Sequence, residues 1–297
     1  MHSTHRHITL PFTLFCLLFI SLLGANSLAA ETDTAPVTQR LPHTAAVPGG
    51  IVVLDIGPAG NLAPEVYYRK KRVMVVQNNG QWQAVVGISL TAKPGKHQIR
   101  IKGQSTPLPF QVNAKQYPEQ HLTIKNKRKV NPNKTDMKRI RGERGRINAA
   151  LRHWEPQAEI DTHFSLPLTG RFSSPFGLRR FFNEQPRKPH SGIDIAAPKG
   201  TPIHAPAAGK VIERGEFFFN GKSVFIEHGQ GLVTLYAHMS RIDVEPGQRV
   251  SRGEIIGAVG QTGRATGPHL HWGVSLNNTS VDPALFFDDL KSLLTAP

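Results

Sequence analysis

The chain has 297 residues, 39% of them hydrophobic and 19% charged, which is enough for two packed domains of ordinary size and excludes a disordered chain. A formal net charge of +15 directs it towards acidic surroundings, whether nucleic acid, anionic lipid or a carboxylate-bearing cell wall. Cys16 is the one cysteine, which excludes an intramolecular disulfide and any multi-cysteine metal site, so a metal must be held by histidine and carboxylate.

Residues 1–29 have the layout of a secretory signal. Arg6 precedes an apolar run from Ile8 to Leu23, and small and polar residues follow as far as Ala29-Ala30. Cleavage after Ala29 removes Arg6 and Cys16 and leaves a net charge of 15 − 1 = +14. Phe15 stands before Cys16 where a lipoprotein signal wants a small residue, so that reading is rejected. Left uncleaved, the segment would be a membrane anchor, and its apolar run lies near the lower length limit for spanning a bilayer.

Residues 30–48, rich in Thr, Ala and Pro, read as a flexible leader. Strand-like runs begin at Ile51 and recur at 72–76, 82–88 and 97–101, with Asn78-Asn79-Gly80 and Lys93-Pro94-Gly95 as turns between them. They predict a small antiparallel β-sandwich module over 49–113, with no catalytic cluster. Residues 114–164 read as a basic polar linker that becomes a helix capped by Thr135 or Asp136. Met137, Ile140, Ile147, Leu151 and Trp154 form its apolar face. Its basic residues read as a solvated face or as a surface touching anionic wall. Over 165–290 short strands alternate with glycine-rich turns, predicting a compact antiparallel sheet or barrel-like domain. The whole chain is therefore expected to be mainly β.

Three histidine clusters fall in this last domain. They are His190-Ser191-Gly192-Ile193-Asp194, Tyr236-Ala237-His238 and His269-Leu270-His271. His269 and His271 sit two apart in a strand-like run, so they share one face. His190 and Asp194 can converge from a Gly-containing turn into a strand. With one further histidine the set is His2Asp, and three protein ligands that leave a fourth position for water are the arrangement of catalytic zinc. The lack of cysteine after signal removal excludes metals that want thiolate. His204 and His228 lack a partner motif and read as structural or surface residues, and His153 and His163 carry no signal.

These stretches, with Gly200-Thr201-Pro202-Ile203 and Gly263-Arg264-Ala265-Thr266-Gly267-Pro268 before His269, resemble the lysostaphin/LytM-type zinc metallopeptidases over roughly residues 165–287. Ser173-Ser174-Pro175-Phe176-Gly177-Leu178-Arg179 fits the start of such a domain, and residues from Gly50 to about Trp154 look more loosely like the N-terminal β module of some Gram-negative members. The resemblance implies one zinc ion per chain, held by His190, Asp194 and His271, with His238 and His269 as the catalytic pair. It implies hydrolysis of peptidoglycan cross-links or stems by water activated on the metal. Which bond is cut, D-alanyl–diaminopimelate or a glycine bridge, stays open. The periplasm is the expected compartment, with an inner-membrane-anchored or secreted form as alternatives. A membrane is a partner only if the N-terminal segment stays uncleaved. Nucleic acid is not an expected partner, because the chain has neither zinc-finger cysteines nor an aromatic-rich RNA-binding motif. The rival readings are a catalytically silent regulator of another wall hydrolase, which predicts missing ligands, and a structural zinc site with a closed fourth position. In a latent state, the β module or the loop 179–184 would cover the site.

Overall fold

The computed structural model of the protein describes residues 39–157 and 159–288. The predicted signal segment with Cys16, residues 30–38 of the leader and the last two residues of the predicted 165–290 domain lie outside the described residues. Among the described residues the chain is mainly β with one α-helix, and no helix is long and apolar enough to cross a membrane.

The first seven strands are β1 (Ile51–Pro58), β2 (Val66–Tyr68), β3 (Lys71–Arg72), β4 (Met74–Asn78), β5 (Gln81–Gly87), β6 (Gly95–Ile101) and β7 (Leu108–Val112). They form two antiparallel sheets, β1-β5-β4 and β3-β2-β6-β7. Asn79 and Gly80, at φ +49° and +72°, close the two-residue β4–β5 hairpin, which asks for left-handed residues at both positions. The apolar run in β4 is unbroken because both of its faces are buried. Val75 points into the sandwich with Val66, Val86 and Ile99. Met74 and Val76 point the other way, into a second and larger core. Residues 41–48, expected to be leader, are held in place: Asn113 N–H donates to Ala46 O at 2.7 Å and His43 N–H to Leu285 O at 2.7 Å.

The linker is more structured than its polar sequence predicts. Its β8 (Glu119–Leu122) is followed by α1 (Lys134–Leu151). The N-cap is Asn133, not Thr135 or Asp136. Asn133 accepts from Asp136 N–H at 2.9 Å while the Asp136 carboxylate accepts from Asn133 N–H at 3.3 Å, so Asp136 is the third residue of a capping box. Trp154 lies beyond the helix end. Ile147, Ala150 and Leu151 pack on Phe217, Phe225 and Val233.

The remaining strands are β9 (Arg171–Ser174), β10 (Arg179–Phe182), β11 (Gln185–Pro186), β12 (Ile193–Ala196), β13 (Pro202–His204), β14 (Gly209–Phe217), β15 (Gly221–Glu227), β16 (Val233–Met239), β17 (Arg241–Ile242), β18 (Arg249–Val250), β19 (Ile255–Ala258), β20 (His269–Ser275) and β21 (Ser280–Val281). An eight-stranded sheet runs β18-β14-β15-β16-β20-β12-β9, with β21 on β20. β13-β19-β17 is a separate sheet, and β8 joins β10 in parallel in β11-β10-β8. Among the described residues the sheets stay open and close no barrel. Tyr236, Leu270 and Trp272 bury one face of the large sheet against Ile203, Ile256 and Val259. The opposite face of β20 carries the histidines.

Candidate active site

Strand parity builds the site. On β20, Leu270, Trp272 and Val274 point into the core, so His269, His271, Gly273 and Ser275 share the other face. Asp194 on β12 stands directly opposite His271, and residues opposite one another in a ladder share a face. On β16, Ala237 pairs with His271 and Tyr236 lies in the core, so His238 would have core parity in a regular strand. A β-bulge corrects this. Ala237 and His238 together oppose the single residue Ser223 of β15, and His238 takes φ +64°. The ring thereby reaches its neighbours, with centroids 4.8 Å from His269 and 6.0 Å from His271.

His190 arrives from the loop before β12. Its backbone N–H donates to Leu178 O at 2.9 Å, and its Nδ1 lies 2.7 Å from Pro175 O. A carbonyl only accepts, so Nδ1 carries the proton and Nε2 presents a lone pair. The same argument fixes His238, whose Nδ1 is 2.8 Å from Thr262 O, and His269, whose Nδ1 is 2.8 Å from Gly267 O.

Three atoms converge: His190 Nε2, Asp194 Oδ1 and His271 Nδ1. Their separations are 2.9 Å, 3.0 Å and 2.8 Å. Donor atoms bound at about 2.0–2.2 Å around a tetrahedral ion stand roughly 3.4 Å apart, so this triangle need open by only a few tenths of an ångström to take one. Two imidazoles and a carboxylate without thiolate suit a borderline divalent ion such as zinc. Among the described residues this is the one such cluster. His269 Nε2 lies 3.9 Å from Asp194 Oδ1, just outside the triangle.

The charge states agree with this arrangement. Burial pushes His190 down to about 4, although its hydrogen bond to Asp194 opposes this. Burial, reinforced by His269 and His271, pushes His238 down to about 3. Both rings are therefore neutral near pH 7, with lone pairs available. Burial alone would raise Asp194, but hydrogen bonds from His190 and His271 outweigh it and hold the carboxyl well below its usual range.

All five predicted residues meet at this site. His204 lies apart, with Nδ1 2.8 Å from Gly253 O. His228 is buried and bonded to Ala208 O and Thr234 Oγ1, a structural role. The sequence reading missed the support of Asp194. Arg180 in β10 donates to Asp194 Oδ2 at 2.7 Å and to Ser174 Oγ at 3.1 Å, and Gln120 of β8 accepts from Arg180 Nε at 3.0 Å. In the sequence Arg180 shows only as part of the loop 179–184, read as a cover for the site in a latent state. The pairing of β8 with β10 joins residues about sixty apart and leaves no local signal.

Comparison with known proteins gives the same family along the chain. Residues 188–283 match peptidase family M23, and residues 44–115 match the peptidase family M23 N-terminal domain. DD-carboxypeptidase/endopeptidase Mpg of Neisseria meningitidis serogroup B is 46% identical over 113 residues, which cover 38% of this chain and 26% of that protein. Peptidoglycan DD-endopeptidase ShyA of Vibrio cholerae is 46% identical over 103 residues, covering 34% of this chain and 24% of that protein. The chain thus spans about a quarter of the length of these curated relatives. A crystal structure from Pseudomonas aeruginosa assigned to peptidase M23 is 44% identical with a TM-score of 0.69, and the match covers 82% of this chain and 95% of that one. With that near-complete alignment and the matching M23 patterns in both halves, the chain belongs to peptidase family M23.

Proposed function

We propose that this chain is a zinc metalloendopeptidase that hydrolyses peptide cross-links or stems of peptidoglycan, exported to the periplasm. The observation that carries the reading is the convergence of His190 Nε2, Asp194 Oδ1 and His271 Nδ1 beside the rings of His238 and His269. The relatives named for peptidoglycan endopeptidase activity support the substrate class. The signal-like layout of residues 1–29 supports export. The intact donor set argues against a silent regulator.

His190, Asp194 and His271 would hold one zinc ion per chain. When bound, zinc supplies Lewis acidity, which polarises a carbonyl and makes water a nucleophile near neutral pH. The protein's own groups do the rest. Arg180 holds the outer oxygen of Asp194, which fixes Oδ1 towards the two imidazoles. Pro175, Thr262 and Gly267 carbonyls fix three rings with Nε2 turned inward. His238 and His269 can take a proton from water and return it to the leaving amine, or donate to the developing oxyanion.

The test is incubation of the zinc-loaded chain and the chelated chain with cross-linked muropeptides, read by mass spectrometry. Chelator-sensitive conversion of dimers to monomers is expected. His271→Ala should lose both zinc and turnover. His238→Ala should keep its zinc while turnover falls about 10²–10⁴-fold. Equal zinc loss in the two variants would overturn the division of roles.

A further inference from the structure

The face of β20 that carries His269 and His271 continues past them. Gly273 and Ser275 extend the same row, each step about 7 Å along the strand. Leu235 and Val233 of β16 lie opposite them and complete a floor. Helix α1 stands over this floor with Ile140, Ile147 and Leu151 facing it. Together they enclose a groove of about 840 Å³, which reaches Ser191 and Asn220 beside the histidine cluster. That volume suits a peptide segment rather than a single small ion.

The groove is cationic and holds unanswered donors. Arg144, Arg187, Lys188 and Arg264 line it against one acid, Glu143. Glu143 is already engaged, accepting from Arg139 Nε at 2.5 Å and from Phe218 N–H at 2.8 Å. Ser275 is 3% exposed, and its Oγ has no hydrogen-bond partner. Arg187 Nε is likewise buried without a partner. A buried polar atom without a partner is costly, and both residues line the groove. Arg264 is clamped between Phe182 and Phe219, with its guanidinium carbon 4.6 Å and 4.5 Å from the ring centroids, so its direction is set in advance. Burial first, then repulsion by Arg180 and Arg187, brings Arg264 down to about 10, which leaves it a cation at neutral pH.

Gly273 leaves the floor bare where the fold does not require it. An added Cβ would meet Ser191 O at 3.5 Å and the Leu235 Cβ at 3.7 Å, ordinary contact distances.

We propose that the groove between α1 and the β16–β20 floor binds the carboxylate-bearing arm of an extended acidic peptide substrate, with Arg264, Arg144 and Lys188 receiving its carboxylates and Ser275 Oγ at its far end. This rests on the peptidase reading for what happens at the adjoining cluster. It makes the linker helix part of the substrate site and gives the basic character of the chain a local use.

The test uses the full zinc-loaded chain and a fluorescein-labelled stem tetrapeptide, which has no cross-link to cut, with its carboxylates free or amidated. Anisotropy should show the free-acid peptide binding at least tenfold more tightly. Arg144→Gln with Lys188→Gln should abolish most of that difference, and Gly273→Val should weaken both peptides; the paired surface variant keeps the test valid if Gly273→Val fails to fold. Muropeptide cleavage by the same proteins should show the loss as a raised KM. Equal binding of the two peptides, or discrimination unchanged in the paired variant, would overturn the proposal. So would displacement by an oligonucleotide as effective as displacement by the peptide, which would make the groove a general polyanion surface. Cleavage with a KM indifferent to amidation and to Gly273→Val sinks the groove and leaves the peptidase reading. Selective binding without any cleavage sinks the peptidase reading and leaves the groove.

Discussion

Gly192 has no room for a side chain. A Cβ there would stand 2.3 Å from Trp272 O and 2.9 Å from His271 Cε1. The loop that carries His190 therefore lies flush on the strand that carries His271. Gly192→Ala should push the two apart, costing about 1–3 kcal/mol in urea denaturation and lowering the zinc content; a variant matching the parent in both would refute the close-approach argument. His228 allows a second test, away from the metal cluster. It is fully buried, and burial pushes it down to about 4 from 6.5. The unfolded chain therefore takes the proton first. Stability is complete above about pH 6.5, falls as pH drops towards 4 and is level below that, a difference of roughly 3 kcal/mol. In chelated protein, His228→Gln should flatten the fall of the thermal midpoint between pH 6.5 and 4, and an unchanged slope would exclude His228 as its source. At this scale the sequence is readable where partners are close along the chain. His190 with Asp194 and His269 with His271 stand out by spacing. Arg180 and Gln120 do not, because what makes them functional is a contact with Asp194 that only the folded sheet supplies.

The β-bulge in β16 shows how an element decides what a residue can do. Period two alone predicts that His269 and His271 share a face, and the ladder bears this out. The same period would send His238 to the core, because its parity depends on how β15 pairs across from it. The bulge restores His238 to the site at the cost of a left-handed backbone, φ +64°, which a residue with a Cβ holds at about 1–3 kcal/mol. His238→Gly and His238→Ala both remove the ring, but glycine tolerates that φ without penalty. The glycine variant should therefore be more stable than the alanine variant by about 1 kcal/mol in chemical denaturation, while both lose turnover. Equal stabilities would mean the bulge relaxes once the ring is gone. The N-terminus of α1 teaches the same lesson on a smaller scale. Thr135 and Asp136 are both plausible caps by type, and the reciprocal bonds of Asn133 and Asp136 select Asn133.

The amphipathic patterns predict a sandwich, a helix and a second β domain, but not that one core would run through them. Ile51, Met74, Val76 and Val85 of the N-terminal sandwich lie in the same buried cluster as Phe176, Leu276, Val281 and Trp272. Alternation in β4 and β5 was hidden by burial on both faces, so the sequence shows continuous apolar runs and no outward side. Two side-chain amides secure the join. Gln230 donates to Val75 O at 3.0 Å and accepts from Val75 N–H at 2.9 Å, answering the edge of β4 as a neighbouring strand would. Asn277 does the same for Gly87, accepting from its N–H at 2.7 Å and donating to its carbonyl at 3.2 Å. Both residues sit at left-handed φ, +46° and +45°, so glycine is the replacement that removes the amide without adding strain. Gln230→Gly and Asn277→Gly each leave a buried backbone N–H and C=O unanswered, which should cost about 1–3 kcal/mol apiece. Because the core is continuous, that loss should not free the sandwich to unfold by itself. Calorimetry of the zinc-loaded chain should show one transition, moved to lower temperature in both variants, with zinc released in the same step. Two separated transitions, with zinc retained through the first, would show instead that the sandwich is an independent unit and that the shared cluster contributes little to cooperativity.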